Sequence, residues 1–119
     1  MRLIKVSTEL EISDYEFPVG SYAEQNKFFC KLIGNNCDTC EQVLPSRLYT
    51  VLGHEFNLTN TPGENVCMLV DEDGLLKTGM KLNILGCFLY RTDEHLSPIM
   101  GNVLLVGRRW GKMALNFVE

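Results

Sequence analysis

Along the first dozen residues, Ile4, Val6, Thr8, Leu10 and Ile12 alternate with Lys5, Ser7, Glu9, Glu11 and Ser13. A period of two predicts one strand with a wet face. Phe17-Pro18-Val19-Gly20 breaks it. Ser21, with Glu24 three residues on, forms a capping box, and Phe28, Phe29, Leu32 and Ile33 then follow helical spacing. Gly34-Asn35-Asn36 tolerates positive φ and stops the helix, which is predicted over residues 21–33.

Beyond the helix, Cys37 to Leu44 is extended up to Pro45, and Arg47 to Leu52 suits a short helix or a strand equally. Residues 53–65 have turn composition. Val66 to Val70 is an apolar run of strand length, and Asp73-Gly74 after it signals a hairpin. Leu82, Leu85 and Leu89, with Phe88, predict a second, short helix. Val103 to Val106 is a strand apolar on both faces, Gly107 to Gly111 turns the chain, and Met113, Leu115 and Phe117 alternate as a last strand. This order is not a series of βαβ units. It predicts an α+β fold in one domain over residues 1–119, with a mixed or mainly antiparallel sheet packed on one main helix.

The 119 residues suffice for one core, and a net charge of -4 is the wrong sign for a whole-surface nucleic-acid binder. The start has no apolar h-region and no stretch reaches the ~18 residues of a membrane span. With five cysteines, an odd number, this predicts reduced thiols in a cytoplasm, with no membrane partner.

Candidate chemistry is sparse. Cys37-Asp38-Thr39-Cys40 is a CxxC half-site for zinc, but neither Cys30, Cys67, Cys87, His54 nor His95 completes a second half. The expectation is five reduced thiols and no metal or other cofactor. A thioredoxin-like role needs the CxxC at a helix start, whereas here the helix comes first. Asp71-Glu72-Asp73-Gly74 lacks the other ligands of a calcium loop, since Leu69 and Met80 stand where acids would be needed. No Gly-rich phosphate loop occurs, and His54 before Glu55 and His95 after Asp93-Glu94 lie in polar loops with nothing to fix them for nucleophilic catalysis. A non-catalytic protein is therefore expected.

One cluster remains. Gly107-Arg108-Arg109-Trp110-Gly111-Lys112 holds three cations and the only tryptophan. Arginine forks suit phosphate and an indole face suits a base. The same residues suit, somewhat better, a charged turn whose Trp folds onto the core, since tryptophan is mostly buried on average.

Cys30 to Gly34, Val70 to Lys77, Asn83, Phe88-Leu89-Tyr90 and Pro98 to Gly107 resemble a family of small proteins known only as a domain of unknown function. It occurs in phages, plasmids and mobile elements of clostridial bacteria. The likeness covers roughly residues 28–112 and leaves out the N-terminal strand and the Cys37/Cys40 pair. It carries no activity and no catalytic residue. By genomic association it implies a counter-defence protein that sequesters a nucleotide second messenger or blocks a host defence protein, such as a nuclease complex of CRISPR or restriction type. An unrecognised metal-dependent enzyme is the third alternative. For a nucleotide, Arg108, Arg109 and Lys112 would bind phosphate oxygens and Trp110 or Tyr90 would lie against a base. Asn83 and Asn102 would supply neutral donors and acceptors, or else cap turns. A homo-oligomer is also expected, because one short helix leaves sheet surface uncovered.

Overall fold

The computed structural model describes residues 2–47 and 66–107. The cationic cluster from Arg108 to Lys112, the expected last strand and His54 lie outside the described residues. Five strands form one antiparallel sheet: β1 (Arg2–Val6), β2 (Ile12–Glu16), β3 (Cys40–Val43), β4 (Cys67–Asp71) and β5 (Val103–Val106). Their spatial order is β2-β1-β5-β4-β3. The α+β class expected from the pattern is the one observed.

The main helix, α1 (Tyr22–Ile33), begins where the capping box predicts. The Ser21 side chain accepts from the Glu24 amide, and Glu24 reaches back to the Ser21 amide. Gly34, at φ 76°, ends it. Phe29, Cys30 and Ile33 pack with Leu3, Leu69, Leu104 and Val106 on one face of the sheet. The second helix, α2 (Ile84–Tyr90), covers part of the other face, where Leu85, Cys87 and Tyr90 pack against Val6, Met68, Val70 and Val103. A four-residue helix, α3 (Thr92–His95), follows. Helices thus lie on both faces of the sheet, which removes part of the reason for expecting a homo-oligomer.

Two expectations need correction. The long N-terminal strand is a hairpin, β1 and β2, which turns at residues 7–11. Ser7 makes the turn, because its Oγ accepts from the Glu9 amide at 3.2 Å and the Glu11 amide at 3.0 Å, while Leu10 takes φ 63°. Neither Gly, Asn nor Pro marks that turn. The hairpin expected at Asp73-Gly74 is instead a 3-10 turn (Gly74–Leu76), and β4 pairs with β3 and β5.

Three polar side chains tie these layers together. Asn83, fully buried, caps α2: its Oδ1 accepts from the Gly86 amide at 2.8 Å. Its Nδ2 donates to the carbonyls of Val6 (3.1 Å) and Gly101 (2.9 Å). Residue 86 must be small, since a Cβ there would lie 3.2 Å from Asn83 Oδ1 and 3.0 Å from Ile99. Asn102 donates to the Ile33 carbonyl at the end of α1 and accepts from the Thr8 amide in the β1–β2 turn. Lys77 donates to Asp71 at 2.6 Å and to the carbonyls of Asn35 and Asn36, the left-handed pair after α1. The Asp71 side chain is 1% exposed, and Asp71 also accepts from the Asp73 amide.

Removing such groups leaves buried partners unsatisfied. Asn83→Ala orphans one buried amide and two carbonyls, so a loss of about 3 kcal/mol in urea unfolding is expected. Asn83→Asp returns the acceptor without the donors and should not rescue. A loss below ~1 kcal/mol would contradict the clamp.

Lys77→Met strands a buried carboxylate and should cost about 3 kcal/mol, while Lys77→Met with Asp71→Asn should recover at least half. The hydrogen bond to Asp71 and that residue's charge raise the Lys77 pKa. The ammonium's contribution is therefore complete below about pH 10 and fades only as pH rises through the raised value. A stability loss already visible between neutrality and pH 9, traced to Lys77 by its absence in the double variant, would overturn that assignment.

Candidate functional site

The hydrogen bonds just described engage, within the fold, two residues expected to meet a ligand. Asn83 uses both side-chain donors and its acceptor within the fold. Asn102 bridges Thr8 and Ile33. The alternative role, capping and bridging, is the one these side chains fill. A ligand would have to break a buried, satisfied network to reach Asn83.

Tyr90, the third expected contact within the described residues, is half-buried at the end of α2. Its ring stacks on His95 with centroids 4.5 Å apart and planes at 29°. It lines a small cleft with Glu41, Val43, Val70, Pro98 and Ile99, of about 60 Å³. Pockets that enclose drug-sized ligands run to roughly 300–1,000 Å³. The cleft therefore has room for a few waters or one side chain, and not for a nucleotide. Partial burial, reinforced by Glu72 and Asp73, pushes the Glu41 carboxyl up from its usual value.

The outer face of α2 offers more. Leu85 and Leu89 point inward, which leaves a second pair four residues apart, Ile84 and Phe88, on the solvent side. They are 63% and 52% exposed, and Leu82, just ahead of the helix, is 47% exposed. Phe88 is held in place rather than left loose. The Arg47 guanidinium lies 4.5 Å over its ring, while Arg47 Nε donates to the Phe88 carbonyl at 2.8 Å. Arg47 also pairs with Asp93 at 3.0 Å. An apolar strip with a charged rim and a fixed aromatic is the composition of a protein contact. The spacing of Leu85 and Leu89 predicts the helix, but nothing in the pattern alone says that Ile84 and Phe88 stay outside.

A second feature lies on the opposite face of the sheet, at the end of α1. Asn26 donates to the Asp38 carbonyl and accepts from the Cys40 amide, so it fixes the loop leading into β3. With Lys77 holding Asn35 and Asn36, the loop is pinned at both ends. Cys37 is thereby carried back over the last turn of α1, where its Sγ lies 3.3 Å from Cys30 Sγ. The sequence draws the eye to Cys37 and Cys40, yet Cys30 lies against Cys37, and Cys40 contacts Asn26 and neighbours Cys30 as well. Burial first, then the Cys30 thiol and the Asp71 charge, push the Cys37 thiol far above its usual value. Burial does the same for Cys40. An open groove of about 490 Å³ runs past the pair, flanked by Lys27 and Lys31.

All five cysteines are free thiols. Among the described residues no three or more His, Cys, Asp or Glu side chains are grouped to hold a metal ion. No helix among them is long and apolar enough to cross a membrane. Comparison with protein-family models, with curated proteins and with solved structures finds no match for this chain.

Proposed function

We propose that this chain is a non-catalytic binding protein that acts by protein–protein contact through the outer face of α2. In the phage or mobile-element setting that its sequence resembles, the partner is a component of a host defence complex in the cytoplasm. The observation that carries this reading is the exposed Leu82, Ile84 and Phe88 strip, with Phe88 fixed under Arg47. Ordering a side chain before binding lowers the entropy lost in the complex. An aromatic held by an arginine is accordingly a good anchor.

Sequestration of a nucleotide second messenger is the second reading. What favours it is the groove beside α1, large enough for a ligand and flanked by Lys27 and Lys31. It no longer draws on Asn83 or Asn102. A symmetric dimer would be the competing occupant of the strip, since a second copy could bury the same residues.

Phage plating on hosts that carry active CRISPR or restriction systems tests the first reading. Wild-type chain should restore plaques on at least one such host, and Ile84→Ser with Phe88→Ser should abolish that rescue. Loss of two anchors costs about 2 kcal/mol or more, some thirtyfold in affinity. Thermal unfolding of the double variant should stay close to wild type, because both side chains are exposed. Full rescue by the double variant would sink the proposal. Loss of rescue in Lys27→Ala with Lys31→Ala, but not in the strip variant, would establish the nucleotide reading instead.

Light scattering at micromolar concentration settles the competing occupant. A 13.5 kDa particle leaves the strip free for a host protein. A dimer that the strip variant dissociates would assign the strip to self-association.

A further inference from the structure

We propose that Cys30 and Cys37 are a redox-active dithiol, a site that takes a low-molecular-weight disulfide as its oxidant. Three observations place it there. The sulfurs are 3.3 Å apart, so closure to the ~2.05 Å of a disulfide needs only about 1.2 Å of movement. One partner is more reachable than the other: Cys37 is only partly buried, whereas Cys30 is 7% exposed. Both border the same open groove, through which a small disulfide can approach. That division of roles is the one thiol–disulfide exchange requires, with an outer thiol attacked first and an inner thiol to resolve the adduct.

The step balances without any other reactant. The Cys37 thiol loses its proton and attacks one sulfur of the small disulfide, RSSR. The S–S bond breaks and RS⁻ leaves to take up a proton as RSH. The Cys30 thiol then loses its proton and attacks the Cys37 sulfur, and the mixed disulfide breaks to release a second RSH. The chain is oxidised by two electrons, and RSSR is reduced to two RSH. Because thiolate is the nucleophile, a protein thiol in this protected setting reacts slowly at neutral pH. The pair accordingly stays open in a reducing cytoplasm and closes when small disulfides accumulate.

Closure would link the last turn of α1 to the loop whose Asn35 and Asn36 carbonyls hold Lys77. Cys87 stands apart from this chemistry, whereas Cys40 also neighbours Cys30, so the linked peptide has to distinguish the two partners. Cys40 Sγ contacts Asn26, Cys67 is fully buried and Cys87 Sγ contacts Ile99 on the other side of the sheet.

The test uses the full chain, folded, with oxidised glutathione as the probe. Wild type should lose two titratable thiols and two hydrogens in mass, recover both with dithiothreitol, and yield a Cys30–Cys37 linked peptide. Cys40→Ser and Cys87→Ser should behave in the same way. Cys30→Ser should instead accumulate a stable mixed disulfide at Cys37, and Cys37→Ser combined with Cys87→Ser should react at least ~10-fold more slowly than Cys87→Ser alone, since the three thiols that remain are buried. The proposal is overturned if wild type keeps a glutathione adduct without closing, if the linked peptide joins another pair, or if no thiol is lost.

Discussion

The side chain of Asn83 is the joint on which the rest of the structure depends. An amide has two donors and one carbonyl oxygen, and here each meets a different part of the chain. One donor holds the end of β1, the other holds the turn before β5, and the oxygen caps α2. In a buried setting each bond is stronger than in water, and each vacancy correspondingly costly. The clamp fixes where α2 starts and therefore which of its faces meets the sheet. Leu85 and Leu89 go in, and Ile84 and Phe88 remain out. The surface proposed to meet a partner is thus set by a residue that never touches it.

The same logic operates on the opposite face. Lys77 and Asn26 hold the two ends of the loop between α1 and β3, and Asn102 ties the end of α1 to the β1–β2 turn. Backbone carbonyls left over at a helix end are thereby satisfied by side chains from distant parts of the chain. A thiol pair is formed as a by-product of where the loop is pinned. The two faces of one sheet then carry two separate features, an apolar strip on one and a dithiol groove on the other.

Much of the fold was legible in local pattern. The capping box at Ser21, the stop at Gly34, the helix on Leu85 and Leu89, and the apolar strand from Val103 to Val106 each follow from short-range chemistry. The β1–β2 turn was not legible, because a serine hydroxyl replaces the usual glycine or asparagine and Leu10 accepts a left-handed conformation. The site was harder to see. Asn83 and Asn102 look like ligand contacts because polar residues among apolar ones attract that reading. Only long-range contacts, 77 residues apart for Asn83 with Val6 and 94 for Asn102 with Thr8, reveal them as joints. The Cys30–Cys37 pair was likewise hidden, since seven residues separate the partners and the CxxC spacing points elsewhere.

The central claim is that the asparagines hold the fold and that recognition takes place at the surface of α2. Nuclear magnetic resonance of ¹⁵N-labelled protein reads this at the side-chain amides themselves. The account predicts that the Asn83 side-chain NH₂ protons and the Gly86 amide exchange with solvent slowly, and that their signals do not move when mono-, di- or cyclic nucleotides are added. Fast exchange of the Asn83 amide, or a saturable shift of its signals with any nucleotide, would contradict it.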